Sequence, residues 1–109
     1  MSHLNLVAFL EPLPGKADRV VEILSEIATS TESDEPTCLR YEITRHTDDE
    51  TKTEQIIMIE AYKDKAALDA HMKSEHFLKG AGKLQGENLM AKQMDLKIST
   101  PAGGFASRL

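Results

Sequence analysis

Tryptophan is absent from this 109-residue chain, and cysteine occurs once, at Cys38. A single cysteine excludes an internal disulfide and a Cys-based zinc site within one chain. It also fits a reducing compartment. Aromatic residues amount to 5%, too few for the stacking platforms that hold single-stranded nucleic acid. Lys and Arg number 13 against 18 Asp and Glu, giving a net charge of −5. No basic cluster offsets that balance, so no nucleic-acid partner is expected. No apolar run approaches the roughly 20 residues of a membrane-spanning helix, so no membrane partner is expected either. The opening Met1-Ser2-His3-Leu4 lacks the basic region and apolar stretch of a secretory signal. Phosphate loops, the dinucleotide fingerprint, zinc motifs and Ser or Cys nucleophile motifs are all missing, so neither a cofactor nor a metal is expected. What is there is an ordinary soluble balance, 40% apolar and 28% charged, at the length of one acidic domain.

Hydropathy patterning divides the chain into six elements and a tail. Leu4 to Leu10 is short and nearly all apolar, with Pro12 and Pro14 behind it, and reads as a buried strand. From Gly15 to about Thr31, Ala17, Val20, Leu24, Ile27 and Ala28 recur at helical spacing opposite Asp18, Arg19, Glu22 and Glu26. Thr37 to Arg45 alternates as a strand, with Leu39, Tyr41 and Ile43 on one face and Arg40, Glu42 and Thr44 on the other. A polar loop over 47–52 leads into a strand from Glu54 to Tyr62, which pairs with its predecessor as a hairpin. Asp64 caps a second helix whose stripe is Ala67, Ala70, Ser74, Phe77, Leu78 and Ala81, frayed by Gly80, Gly82 and Gly86. Asn88 to Ile98 is the last strand. Residues 1–98 thus form one domain. Residues 99–109, rich in small residues with Pro101 and Gly103-Gly104, form a flexible tail.

The order β-α-β-β-α-β is the split, ferredoxin-like plan of an α+β domain: a four-stranded antiparallel sheet with two helices on one face. Two helices cover only one face of that sheet. Yet Ile56-Ile57-Met58-Ile59 and Leu6 to Leu10 are apolar on both faces, which calls for burial on both. A second copy packed sheet to sheet supplies the cover, so a homodimer is expected.

Three stretches then carry a family resemblance. They are Pro14-Gly15-Lys16, Glu35-Pro36-Thr37-Cys38-Leu39-Arg40-Tyr41, and Ile59-Glu60-Ala61-Tyr62-Lys63-Asp64-Lys65-Ala66-Ala67-Leu68-Asp69-Ala70-His71 continuing through Ser74-Glu75-His76-Phe77. The last is the most specific, and with it residues 4 to 98 resemble the antibiotic biosynthesis monooxygenase family of dimeric α+β barrels. That resemblance implies the fold, the dimer and oxidation of small electron-rich molecules by O₂ without a prosthetic group. Two positions depart from the pattern. Tyr62 stands where the family usually has Trp. Ala8 stands where haem-degrading relatives place Asn, with Asn5 out of register on the opposite face, which disfavours haem degradation.

His71 and Tyr62 are the candidate catalytic residues. His71 lies beside the apolar stripe of the second helix and faces the sheet, where a neutral imidazole can accept a proton from a phenol or a carbonyl-activated C–H. The competing reading is a buried histidine satisfied by a backbone or carboxylate partner. Tyr62 can donate to a carbonyl or oxyanion, or simply fill the core. His76, Phe77, Glu60 and Tyr41 are the candidate substrate-binding residues. Structural readings compete at three of them: Tyr41 packs, Glu60 pairs with an Arg or a helix end, and His76 shapes a kink. On an unbroken helix His76 sits about 140° from His71, which keeps the two from sharing a metal. Ser74 offers an alternative, starting a new turn by capping His76 or Phe77.

Ser107-Arg108-Leu109 is a conservative variant of the Ser-Lys-Leu peroxisomal address, which an import receptor reads at a free C-terminus. The expected location is therefore the peroxisome in a eukaryotic source and the cytoplasm otherwise. Two functions fit these residues. One is a small cofactor-independent monooxygenase acting on a phenolic or carbonyl-activated organic molecule. The other is a non-catalytic, ligand-binding or stress-associated dimer. A pocket walled by His71, Tyr62 and Phe77 and closed to water favours the first, and a cavity filled by side chains the second.

Overall fold

The computed structural model describes residues 3–109, so the first two positions of the 1–98 domain lie outside it. Seven elements follow in order: β1 (Leu4–Leu10), α1 (Ala17–Asp34), β2 (Cys38–Thr47), β3 (Glu54–Tyr62), α2 (Lys65–Lys73), α3 (Glu75–Gly86) and β4 (Asp95–Ser99). The strands form one antiparallel sheet in the order β2-β3-β1-β4. This is the ferredoxin-like α+β plan, with the second helix divided in two.

Strand alternation sets the two sheet faces. In β1 the side chains of Leu6, Ala8 and Leu10 are buried, and their partners across the ladder are Glu60, Met58 and Ile56 of β3. The α1 residues Val20, Ile23, Leu24 and Ile27 pack onto that inner face and complete the core with Tyr62, Leu68 and Leu89. Val7, Phe9, Ile57 and Ile59 alternate onto the outer face and are half-buried.

Several boundaries differ from the sequence reading. α1 runs on to Asp34, and Pro36 ends it by forcing Glu35 out of the helical region, to φ −124° and ψ 79°. A bulge between Cys38 and Arg40 shifts the register of β2, so Cys38, Tyr41 and Ile43 pack on the core while Leu39 is 58% exposed. β4 begins at Asp95, because Asn88 adopts a left-handed φ of 51° and the following segment makes only an isolated bridge between Met90 and Pro12. Gly80 does not fray its helix. A β-carbon there would lie 2.6 Å from Ile27 Cγ1, so the bare backbone is what lets α3 close on α1.

The division of the second helix matters most for the site. Ser74 leaves helical geometry at φ −66° and ψ 150°, and it serves α2 and α3 together. Its hydroxyl donates to the His71 carbonyl at 2.6 Å and accepts from the Phe77 amide at 3.3 Å. Such a double cap satisfies backbone groups that a break would otherwise orphan.

Candidate functional site

An apolar cavity of about 110 Å³ lies between the inner sheet face and the helices. Leu6, Ala8, Met58 and Leu96 of the sheet and Leu24, Leu68, Phe77 and Ala81 of the helices wall it. Three polar side chains join that wall: Tyr41, Glu60 and His71.

His71 is 2% exposed, and the rings of Tyr41, Tyr62, His76 and Phe77 surround it at centroid distances of 5.2 to 6.0 Å. Its Nδ1 lies 3.1 Å from both carboxylate oxygens of Glu35, while its Nε2 is buried without a hydrogen-bond partner among the described residues. A carboxylate can only accept, so Nδ1 carries the proton and Nε2 the lone pair. Burial lowers the His71 pKa, opposed by its hydrogen bond to Glu35, and the ring stays neutral. A buried imidazole oriented by a carboxylate, with a free lone pair on an apolar wall, is the arrangement of a general base.

Glu35 also accepts from His76 Nε2 through Oε2. Glu35 opens one of the family-like stretches, but no pattern in the sequence marks it as a partner of the histidines. Pro36, which ejects Glu35 from the helix end, is the available signal. The Ser74 break places His76 beside His71, against the expectation that they lie about 140° apart on one helix. The nitrogens of both histidines and a Glu35 oxygen lie within 4.8 Å of one another.

Glu60 pairs with neither an Arg nor a helix end. It accepts a 2.6 Å hydrogen bond from the Tyr62 hydroxyl. Burial pushes the Glu60 carboxyl up to about 7, against that hydrogen bond and helped by the negative charge of Glu35. Tyr62 is fully buried and stands behind Glu60 rather than on the cavity wall, with its hydroxyl pKa raised by burial and then by Glu60. Tyr41 does face the cavity, and burial likewise raises its pKa. Phe77 lines the cavity, whereas His76 lies outside it, in a separate small pocket with Ile27, Lys79 and Gly80. Ser107, Arg108 and Leu109 are exposed and do not line the cavity.

A family profile described as antibiotic biosynthesis monooxygenase matches residues 4–83. No curated protein matches the chain. Among solved structures, a Caulobacter crescentus CB15 protein provisionally named an antibiotic biosynthesis monooxygenase is 25% identical, with a TM-score of 0.77 over 94% of this chain and 92% of that one. PA3566 from Pseudomonas aeruginosa is 28% identical, with a TM-score of 0.71 over 96% and 97%. Rv0793 from Mycobacterium tuberculosis is 21% identical, with a TM-score of 0.78 over 96% and 100%, and shares the fold.

Proposed function

The chain belongs to the antibiotic biosynthesis monooxygenase family, and from that premise we propose that it oxidises a single-ring phenol or carbonyl-activated molecule with O₂, using His71 as the base. The observation that carries this reading is the unpartnered, buried Nε2 of His71 on the wall of an apolar cavity. A comparable apolar cavity of about 150 Å³ holds benzene. The 110 Å³ here therefore suits one six-membered ring or less.

In this mechanism His71 Nε2 takes the phenolic proton, and the resulting imidazolium is held through Nδ1–H by the Glu35 carboxylate. The substrate anion passes one electron to O₂, and the radical pair combines into a peroxide at a ring carbon that bears hydrogen. Loss of water, with His71 returning its proton to the departing oxygen, leaves a quinone. The balance is phenol plus O₂ giving quinone plus water. All four electrons come from the substrate, so no further reductant enters. Glu60, shared with Tyr62 and poised near neutrality, stands to hydrogen-bond the substrate oxygen.

The test is O₂ uptake with a panel of phenols and β-diketones, compared between the native chain and His71→Gln. Uptake that the substitution abolishes supports the proposal. Equal uptake by both proteins, or shifts of ring resonances that spare His71, would falsify it. The proposal includes a homodimer packed through the outer sheet face, where Val7, Phe9, Ile57 and Ile59 lie. Sedimentation at micromolar concentration should give twice the mass of one chain, and a monomer would remove that element. It also includes peroxisomal import through Ser107, Arg108 and Leu109 in a eukaryotic source. Imaging with and without the tripeptide, on a chain ending at Leu109, tests it, and an unchanged distribution counts against it.

A further inference from the structure

Glu35, His71 and His76 come from three separate segments: the exit of α1, the last turn of α2 and the first turn of α3. We propose that they form a binding site for a divalent transition-metal ion of the zinc class, held by a Glu35 oxygen, His71 Nδ1 and His76 Nε2.

Two imidazole nitrogens and one carboxylate oxygen are a donor set for borderline ions such as Zn²⁺, Co²⁺ or Ni²⁺. They do not suit Mg²⁺ or Ca²⁺, which want more oxygen ligands. Zinc bonds of about 2.0–2.1 Å in a tetrahedron place neighbouring ligand atoms about 3.4 Å apart. The three atoms already lie within 4.8 Å of one another, with His71 Nδ1 3.1 Å from the carboxylate. An ion would replace the two protons that now join the histidines to Glu35. Three protein ligands leave one tetrahedral position for water. The surroundings also fit: His71 is buried, and the Glu35 and His76 side chains are only 13% and 17% exposed. No i, i+4 histidine pair signals the site in the sequence. The double cap at Ser74 creates it by turning His76 back toward Glu35.

The site stands apart from the base reading, but its effect on turnover rests on that reading. A metal on Nδ1 forces the proton of a neutral His71 onto Nε2. The cavity wall then presents a donor where it had an acceptor, and the base is lost. Metal capture and proton abstraction are therefore alternative states of one imidazole.

The experiment titrates ZnCl₂ into the chelator-stripped full chain by calorimetry. One Zn²⁺ per chain, bound tighter than about 100 µM, is expected. Glu35→Gln and His76→Gln should each weaken it at least tenfold, and His46→Gln, at an exposed position of β2, should leave it unchanged. Long-range ¹H–¹⁵N spectra should show the His71 proton moving from Nδ1 to Nε2 as zinc is added. Because a variant could fail to fold, Co²⁺ added to the native chain gives an independent readout, an intense visible spectrum of tetrahedral N/O coordination. No binding in that range, binding indifferent to Glu35 and His76, or a cobalt spectrum of the aqua ion would overturn the site. Phenol titration of the metal-free protein tests the base separately, so failure of either reading is told from failure of the other.

Discussion

Replacing Glu60 with Gln should remove a pH dependence that the fold imposes on its own stability. Glu60 is 8% exposed and burial pushes its carboxyl up to about 7, whereas in the unfolded chain it returns to its ordinary 4.5. As pH rises from 4.5 to 7 the unfolded chain releases the proton that the native state still holds. The unfolded state thus binds fewer protons in this window, and stability falls with rising pH. The full displacement corresponds to about 3 kcal/mol, complete above pH 7 and absent below 4.5. Gln keeps an oxygen that accepts from the Tyr62 hydroxyl and carries no charge to bury. His71 acts in the opposite direction. Its lowered pKa contributes stability present above 6.5 and lost as pH falls through the folded value, but it is common to both proteins and cancels in their difference. Thermal melts of both proteins at pH 5 and pH 8 give the comparison. The melting temperature of Glu60→Gln relative to the native chain should rise by roughly 10 °C between the two pH values, at about 4 °C or more per kcal/mol. Parallel curves would refute the argument that burial, more than the Tyr62 hydrogen bond, governs Glu60.

Four further substitutions have expected outcomes. His71→Gln should lower phenol-dependent O₂ uptake by about 10²–10⁴ while leaving the circular dichroism spectrum intact, the usual cost of losing a general base. Gly80→Ala should destabilise the fold by about 1–3 kcal/mol in urea melts through overpacking against Ile27. Gly82→Ala, which meets open space, should stabilise it by up to about 1 kcal/mol. Ser74→Ala should cost about 1 kcal/mol for the lost cap on Phe77, and it should broaden the His76 ring resonances, because the bend that sets them against Glu35 loses its hydroxyl bonds.

Local patterns carried most of the architecture. β1 and β3 are legible because apolar runs of that length admit few alternatives, and four members of the α1 stripe, Ala17, Val20, Leu24 and Ile27, are buried, while Ile23 and Thr31 join them unforeseen and Ala28 is only half-buried. The site was half legible. Helical spacing put His71 beside the stripe, and Ser74 was readable as a cap. Glu35 was not found, because its partner lies 36 residues further along the chain and no periodicity links a helix exit to another helix. The misjudged face of Leu39 has a similar origin. One extra residue in a bulge reverses alternation, and alternation was the only guide there. Tyr62 was assigned to the pocket from its strand face. It does share that face with Glu60, but Glu60 takes the wall and the tyrosine the layer behind it.

The two outermost strands determine how this sheet meets other polypeptide. β2 presents a bulged edge at Cys38 and Arg40, studded with the Arg40–Glu42 ion pair and with Arg45 tied to both Asp18 and Glu54. β4, at the other margin, has only five residues, among them Asp95 and Lys97. A kinked, charged border and a short one are both poor templates for adding a strand. Growth into fibrils by edge-to-edge pairing is therefore disfavoured at both margins.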